Sequence, residues 1–94
     1  MMPTHLTPIH PGKVLEDELQ EIEVSIDTLA KHIEISPTMI HEVCEGKRSI
    51  TAPLAMKLSR ALGASPQFWL NLQNNWELSQ VQGCDYSHIK SIVA

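Results

Sequence analysis

The stretch from Ile26 to Ile50, IDTLAKHIEISPTMIHEVCEGKRSI, constrains the fold of this chain more than any other. Its first part places Ile26, Leu29, Ala30 and Ile33 at i, i+3, i+4 and i+7, one face of an α-helix. After Glu34-Ile35, Ser36 reads as an N-cap and Pro37 as the first helical residue, where a missing N–H costs nothing. The second helix turns Ile40, Val43 and Cys44 inward and stops at Gly46, a residue suited to a left-handed cap. Helices this short are unstable alone and must bury their apolar faces on each other and on a shared core. The pattern is a helix-turn-helix over about residues 25–46.

The flanking sequence supplies the rest of that core. Residues 1–10, with Pro3 and Pro8 and no apolar period, read as an irregular arm ending at Pro11. A first helix is expected from Pro11 to Ile22, with Leu15, Leu19 and Ile22 inward and its acids outward. Ser25 then caps the second helix, and Asp27 in its first turn suits the helix dipole. Beyond the Gly46-Lys47-Arg48 loop, Thr51 caps a fourth helix that turns Leu54, Ala55, Leu58, Ala61 and Leu62 inward and ends at Gly63. Ser65-Pro66 repeats the cap-then-proline signal and opens a fifth helix, Gln67 to about Val81. Residues 11–81 thus form one all-α domain of five helices, followed by a short tail, residues 82–94. In the tail, Tyr86, Ile89, Ile92 and Val93 fit a short helix or a strand equally well.

The fifth helix carries apolar residues on two sides. At 100° per residue Phe68, Trp69, Leu72 and Trp76 form one stripe, and Leu70, Leu78 and Val81 another, nearly opposite. A chain of 94 residues hides only about 60–65% of its unfolded surface, which makes both stripes hard to cover. Two arrangements answer this: a symmetric dimer through these seven residues, or packing between the first helix and the tail. The dimer is the expectation.

Composition excludes several classes. With 43% hydrophobic and 19% charged residues the chain has enough apolar surface to fold. Met1-Met2-Pro3-Thr4-His5 has neither the basic start nor the apolar run of a signal peptide, and no segment approaches the ~20 apolar residues of a membrane helix. Cytoplasmic residence is the expectation, with Cys44 and Cys84 reduced and Cys44 buried and inert. His5, His10, His32, His41 and His88 show no metal-ligand spacing, and there is neither a glycine-rich phosphate loop nor a paired nucleophile and base. No cofactor, metal site or catalytic residue is expected.

Charge is unevenly spread around a formal net of −4. Five of the eight residues from Glu16 to Glu23 are acidic, which is either a partner surface or a solvated helix face. From Ser36 to Arg60 the sign reverses: Lys47, Arg48, Lys57 and Arg60 face only Glu42 and Glu45. A helix-turn-helix offers the outer face of its second helix to the DNA major groove. Here that face holds Thr38, Met39, His41, Glu42 and Glu45. Thr38 and Met39 suit thymine methyls, His41 can donate to an acceptor such as guanine N7, and Glu42 can accept from cytosine N4. Ser36 at the helix start, with Lys47 and Arg48 on the following loop, are placed to hold phosphates. Ser25 and Thr28 either add backbone contacts or merely cap the preceding helix.

Three blocks carry a family resemblance: HPGKVL at His10–Leu15, EGKRSIT at Glu45–Thr51 and SPQFWLNLQ at Ser65–Gln73. In order and spacing the chain resembles the HigA-type antitoxins, also called virulence-associated protein I, of the Xre/Cro-like helix-turn-helix family. The resemblance implies a lambda-repressor-like five-helix dimer that binds a palindromic operator, represses its own operon and neutralises a small, basic, RelE-like ribonuclease toxin. Two departures stand out. Glu34 occupies a turn position where the family usually has glycine, and the second helix lacks the Arg or Asn that often reads bases. Two other readings compete: a protein-interaction module with degenerate DNA binding, and a stand-alone regulator without a toxin.

Overall fold

A computed structural model of the chain describes residues 8–93; the first seven residues of the expected arm, and Ala94, lie outside the described residues. Five helices follow one another: α1 Pro11–Glu21, α2 Ile26–Ile33, α3 Pro37–Cys44, α4 Ala52–Leu62 and α5 Pro66–Gln80. No strand occurs among the described residues. α1 packs on α3 and α5, α2 on α3 and α4, and α4 on α5, so the helix-turn-helix is clasped between α1 and α4. Leu15, Leu19, Leu29, Ala30, Ile33, Ile40, Val43, Ile50, Leu54, Ala55, Leu58 and Trp69 form one core cluster.

Local chemistry explains the boundaries. Proline stands in the first turn of α1, α3, α4 and α5. Ser25 and Ser65 cap α2 and α5, accepting from the Thr28 and Phe68 amides at 3.0 and 3.1 Å. α1 is capped by an imidazole instead: His10 Nδ1 accepts from the Gly12 amide at 2.9 Å. The His10 ring meets Trp76 edge-on at 4.7 Å, and partial burial lowers its pKa below the usual 6.5, against the opposing pull of Glu77. Gly12 marks the closest approach of two helices. A Cβ there would lie 1.7 Å from the Val43 carbonyl oxygen, so only glycine lets α1 rest on the last turn of α3.

Helices α1, α2 and α3 close in the same way, with the residue after the C-terminal turn at positive φ. Amide bonds then run back to the last turn: Val24 to Leu19 at 3.0 Å, Ile35 to Ala30 at 2.9 Å and Lys47 to Glu42 at 2.9 Å. Gly46 takes that position after α3 (φ 79), but Glu23 and Glu34 take it after α1 and α2 (φ 58 and 61). Glu34 therefore adopts the left-handed conformation that glycine would take without steric strain.

Several expectations need correction. Ile22, expected inward, is the C-cap of a helix ending at Glu21, and the turn at Glu23 leaves it 45% exposed. Cys44 is half-buried rather than buried, although burial still pushes its thiol pKa up to about 11. Trp69, assigned to a dimer stripe, is 1% exposed and belongs to the core of its own chain. The inward line of α5 runs through Trp69, Gln73 and Trp76, with Leu70 and Leu72 packed against the core from either side. Phe68, Leu78 and Val81 do face solvent. The tail, residues 82–93, forms turns and bends rather than either element considered for it.

Candidate nucleic-acid interface

The α2–turn–α3 unit presents its outer face as the sequence pattern required. Ile40 and Val43 are buried beneath α3, leaving Thr38 and His41 exposed, Met39 and Glu42 half-buried and Glu45 exposed. Thr38 and His41 are three residues apart, so both project from one side of a two-turn helix, the geometry needed to reach adjacent base edges. Ser36 holds the N-cap position, but its hydroxyl makes no capping bond and is exposed. Ser25 is used differently. Its Oγ accepts from the Thr28 amide and donates to Thr28 Oγ1 at 2.8 Å, so both hydroxyls are already engaged in the α2 cap.

The electrostatics of this face differ from the simple expectation of free cations. Arg48 folds back over α3, donating from Nε and Nη2 to one oxygen of Glu42 at 2.9 and 2.8 Å. Lys47 Nζ lies 3.4 Å from Glu45, and His41 Nε2 lies 3.6 Å from Asp27 at the start of α2. His41, Lys47 and Arg48 thus each have an acidic neighbour, supplied by α2, by α3 or by the residue that caps it. Among the described residues, Lys31, Lys57 and Arg60, on α2 and α4, have no ion-pair partner. On α1, Lys13 holds Glu16 and Asp17 at 3.2 and 3.5 Å, leaving Glu18, Glu21 and Glu23 without ion pairs among the described residues.

The loop after α3 is held by a residue the reading of the sequence passed over. Gln73 is buried on α5; its Oε1 accepts from the Ile50 amide at 2.7 Å, while Nε2 donates to Glu77 at 2.9 Å and Ser49 at 3.3 Å. These bonds fix the chain just beyond Lys47 and Arg48, so α5 sets the geometry of the loop that carries them. Its only signal was its place at the end of the SPQFWLNLQ block. Among the described residues no group of three or more His, Cys, Asp or Glu side chains is arranged to hold a metal ion. Among the same residues, no helix is long and apolar enough to cross a membrane.

Comparison with known proteins supports the fold. The family described as Helix-turn-helix (HTH_3) matches residues 15–69. An uncharacterized HTH-type transcriptional regulator of Escherichia coli K12, YddM, is 38% identical over 84 residues, 88% of this chain and 89% of that protein. An addiction module antidote protein of the HigA family from Coxiella burnetii superposes with a TM-score of 0.82 at 36% identity, covering 95% of this chain and 98% of that one. The Pseudomonas aeruginosa antitoxin HigA, solved with the higBA promoter, has a TM-score of 0.82 at 32% identity, covering 92% and 99% respectively.

Proposed function

Because this chain belongs to the Xre-like helix-turn-helix family and within it to the HigA-type antitoxins, we propose that it represses its own operon by binding a palindromic operator as a homodimer. In this reading α3 enters the major groove, with two half-sites about one helical turn apart. Thr38 and His41 read bases, Met39 adds an apolar contact, and Ser36, Lys47 and Arg48 hold phosphates. Glu42 serves to orient Arg48 rather than to read cytosine, and Ser25 and Thr28 approach the backbone while remaining a cap. The observation that carries the reading is the exposed Thr38 beside Ser36 on a helix whose opposite side is fully committed to the core. A relative sharing this fold was solved with its own promoter, which supports the assignment.

The second half of the proposal is neutralisation of a small, basic, RelE-like toxin. Glu18, Glu21 and Glu23 on and just after α1 supply uncompensated negative charge for such a partner. Both activities place the protein in the cytoplasm. The dimer would use the exposed Phe68 and Leu78 of α5 and Val81 at its C-cap, with Leu70, Leu72 and Trp76 behind them.

One observation favours a competing reading. Pairing of Arg48 with Glu42 and Lys47 with Glu45, in a chain of net charge −4, is what a protein-interaction module with residual DNA affinity would show. Fluorescence anisotropy on promoter DNA against a scrambled duplex, at two salt concentrations, separates the two. Promoter-selective binding that weakens with salt and falls when Thr38 and His41 are both replaced by alanine is the expected result. Equal, weak binding to both duplexes would overturn the autonomous repressor and leave the toxin as the sole partner. A stand-alone regulator would instead bind selectively yet fail to rescue growth from a co-expressed toxin.

A further inference from the structure

The end of α5 and the start of the tail enclose a groove of about 800 Å³, open to solvent, against Ile9 and Val14 of the α1 region. Leu72, Leu78 and Val81 add to its apolar lining, together with Cys84 and Tyr86. Among the described residues no charged side chain lines it; the polar groups of its lining are the side chains of Asn75, Ser79 and Gln82, the Tyr86 hydroxyl and the Cys84 thiol. A nucleic acid or a highly charged partner therefore has nothing to bind there, whereas an uncharged apolar segment does.

The same chain carries such a segment, and carries it away from its own core. After Tyr86 the backbone turns, with the Ile89 amide bonded to the Tyr86 carbonyl at 3.0 Å, and the following apolar side chains are left in solvent. Ile89 is 66% exposed, Val93 76% and Ile92 100%. The radius of gyration, 16.0 Å, exceeds the about 12 Å expected of a compact chain of this length, and the longest dimension is 51 Å. From Tyr86 to Val93 the chain carries a single charge, Lys90, if His88 is neutral.

We infer that the tail of one protomer lies in this groove of a second copy, so that the dimer is clasped by two exchanged tails as well as by α5. The inference rests on the dimer proposed above. Reach permits it. Paired α5 helices would stand about 8–10 Å apart, and the roughly seven residues beyond Tyr86 span up to about 24 Å when extended. The exchange buries Ile89, Ile92 and Val93 against Leu78 and Val81, and removes from water the two apolar surfaces a lone protomer leaves open.

Sedimentation equilibrium of the full-length protein tests this with three variants. Ile89→Glu with Ile92→Glu changes only solvent-exposed side chains, so helical content by circular dichroism stays at the wild-type level. The dimer Kd rises about tenfold or more. Leu78→Glu and Ile92→Lys each weaken their own homodimer, but an equimolar mixture forms a heterodimer. There the acidic groove of the Leu78→Glu protomer receives the basic tail of the Ile92→Lys protomer, and the two wild-type elements meet on the other side. If the double tail variant dimerises like wild type while Leu78→Glu does not, α5 alone makes the dimer and the exchange is wrong. If the mixture shows no preference for the heterodimer, the tail folds back on its own groove and the exchange is equally wrong. A wild-type protein monomeric at roughly 0.1 mM would remove the dimer and the exchange together.

Discussion

Replacing Gly12 with alanine sets two physical effects against each other, and the structure decides between them. By helix propensity alone the change is favourable, though Gly12 lies in the first turn of α1 and the gain is at most the about 0.8–1.0 kcal/mol that separates alanine from glycine in a helix interior. Against it stands the contact with α3. The added Cβ would lie 1.7 Å from the Val43 carbonyl oxygen and 2.6 Å from its carbon, where ordinary contact begins near 3.4 Å. Both neighbours are backbone, so no side-chain rotation relieves the overlap, and the helices must part by roughly 1 Å or more. Val43 and Leu15 are fully buried beside this point, and the opening would loosen their packing. Overpacking of this kind costs about 1–3 kcal/mol, and backbone-on-backbone overlap places Gly12→Ala at or beyond the upper end. After subtracting the propensity gain, a loss of about 2 kcal/mol remains, which for a domain of this size lowers Tm by about 8–16 °C. Calorimetry of the two proteins at one concentration measures it. An unchanged or raised Tm would refute the close approach of α1 to α3, because propensity would then be the only effect in play.

Other perturbations follow from single contacts. Glu34→Gly removes a left-handed non-glycine residue and is expected to stabilise by up to about 1 kcal/mol in urea unfolding, after the extra chain entropy of glycine is counted; a loss of stability would contradict the strain. Gln73→Leu strands the buried Ile50 amide and should cost about 1–3 kcal/mol, with hydrogen exchange at Ile50 accelerated well beyond that of the core helices; equal exchange would mean the bond is dispensable. His10 titrates below its unfolded value, so the folded state binds fewer protons and stability is full above about pH 6.5 and declines as pH falls through the lowered pKa. Thermal melts between pH 7 and pH 5 should show this decline, reduced in His10→Asn, which keeps a capping oxygen but cannot titrate; identical profiles would rule out His10 as the source.

How far the sequence revealed this architecture depended on which signal each element used. Caps and prolines speak through local stereochemistry, so Ser25, Ser36, Pro37, Thr51, Ser65 and Gly63 marked helix ends within a residue. The α2–α3 face was legible because Leu29, Ile33, Ile40 and Val43 keep strict helical spacing. On α5 that logic misassigned Trp69, since its inward neighbour four residues on is the polar Gln73 and the wheel drifted toward the more continuous apolar stripes. A buried amide that serves as a hydrogen-bond hub looks, in sequence, like a surface residue. Ile22 failed for a related reason: nothing in EIEVS marks Glu23 as left-handed, so the helix was continued one residue too far. The Arg48–Glu42 pairing spans six residues and a Gly-containing turn, beyond any i,i+4 rule.

That pairing bears on how such a protein could recognise DNA at all. Exposed ion pairs contribute about 0–1 kcal/mol, so a phosphate can displace Glu42 from Arg48, or Glu45 from Lys47, at small cost. Until a phosphate is in place, however, each cation is screened by its own carboxylate, and the chain as a whole repels DNA. Non-specific binding, which depends almost entirely on phosphate neutralisation, is therefore held down more than specific binding, which in the proposed mode also draws on Thr38 and His41 in the groove. The quantity that matters for a repressor among many competing sites is the ratio of the two affinities rather than either alone. In the proposed mode, an α3 poor in arginine and flanked by internally paired cations lowers the denominator of that ratio. Symmetry would raise the numerator, because two protomers joined through α5 as proposed present the same contacts to both half-sites.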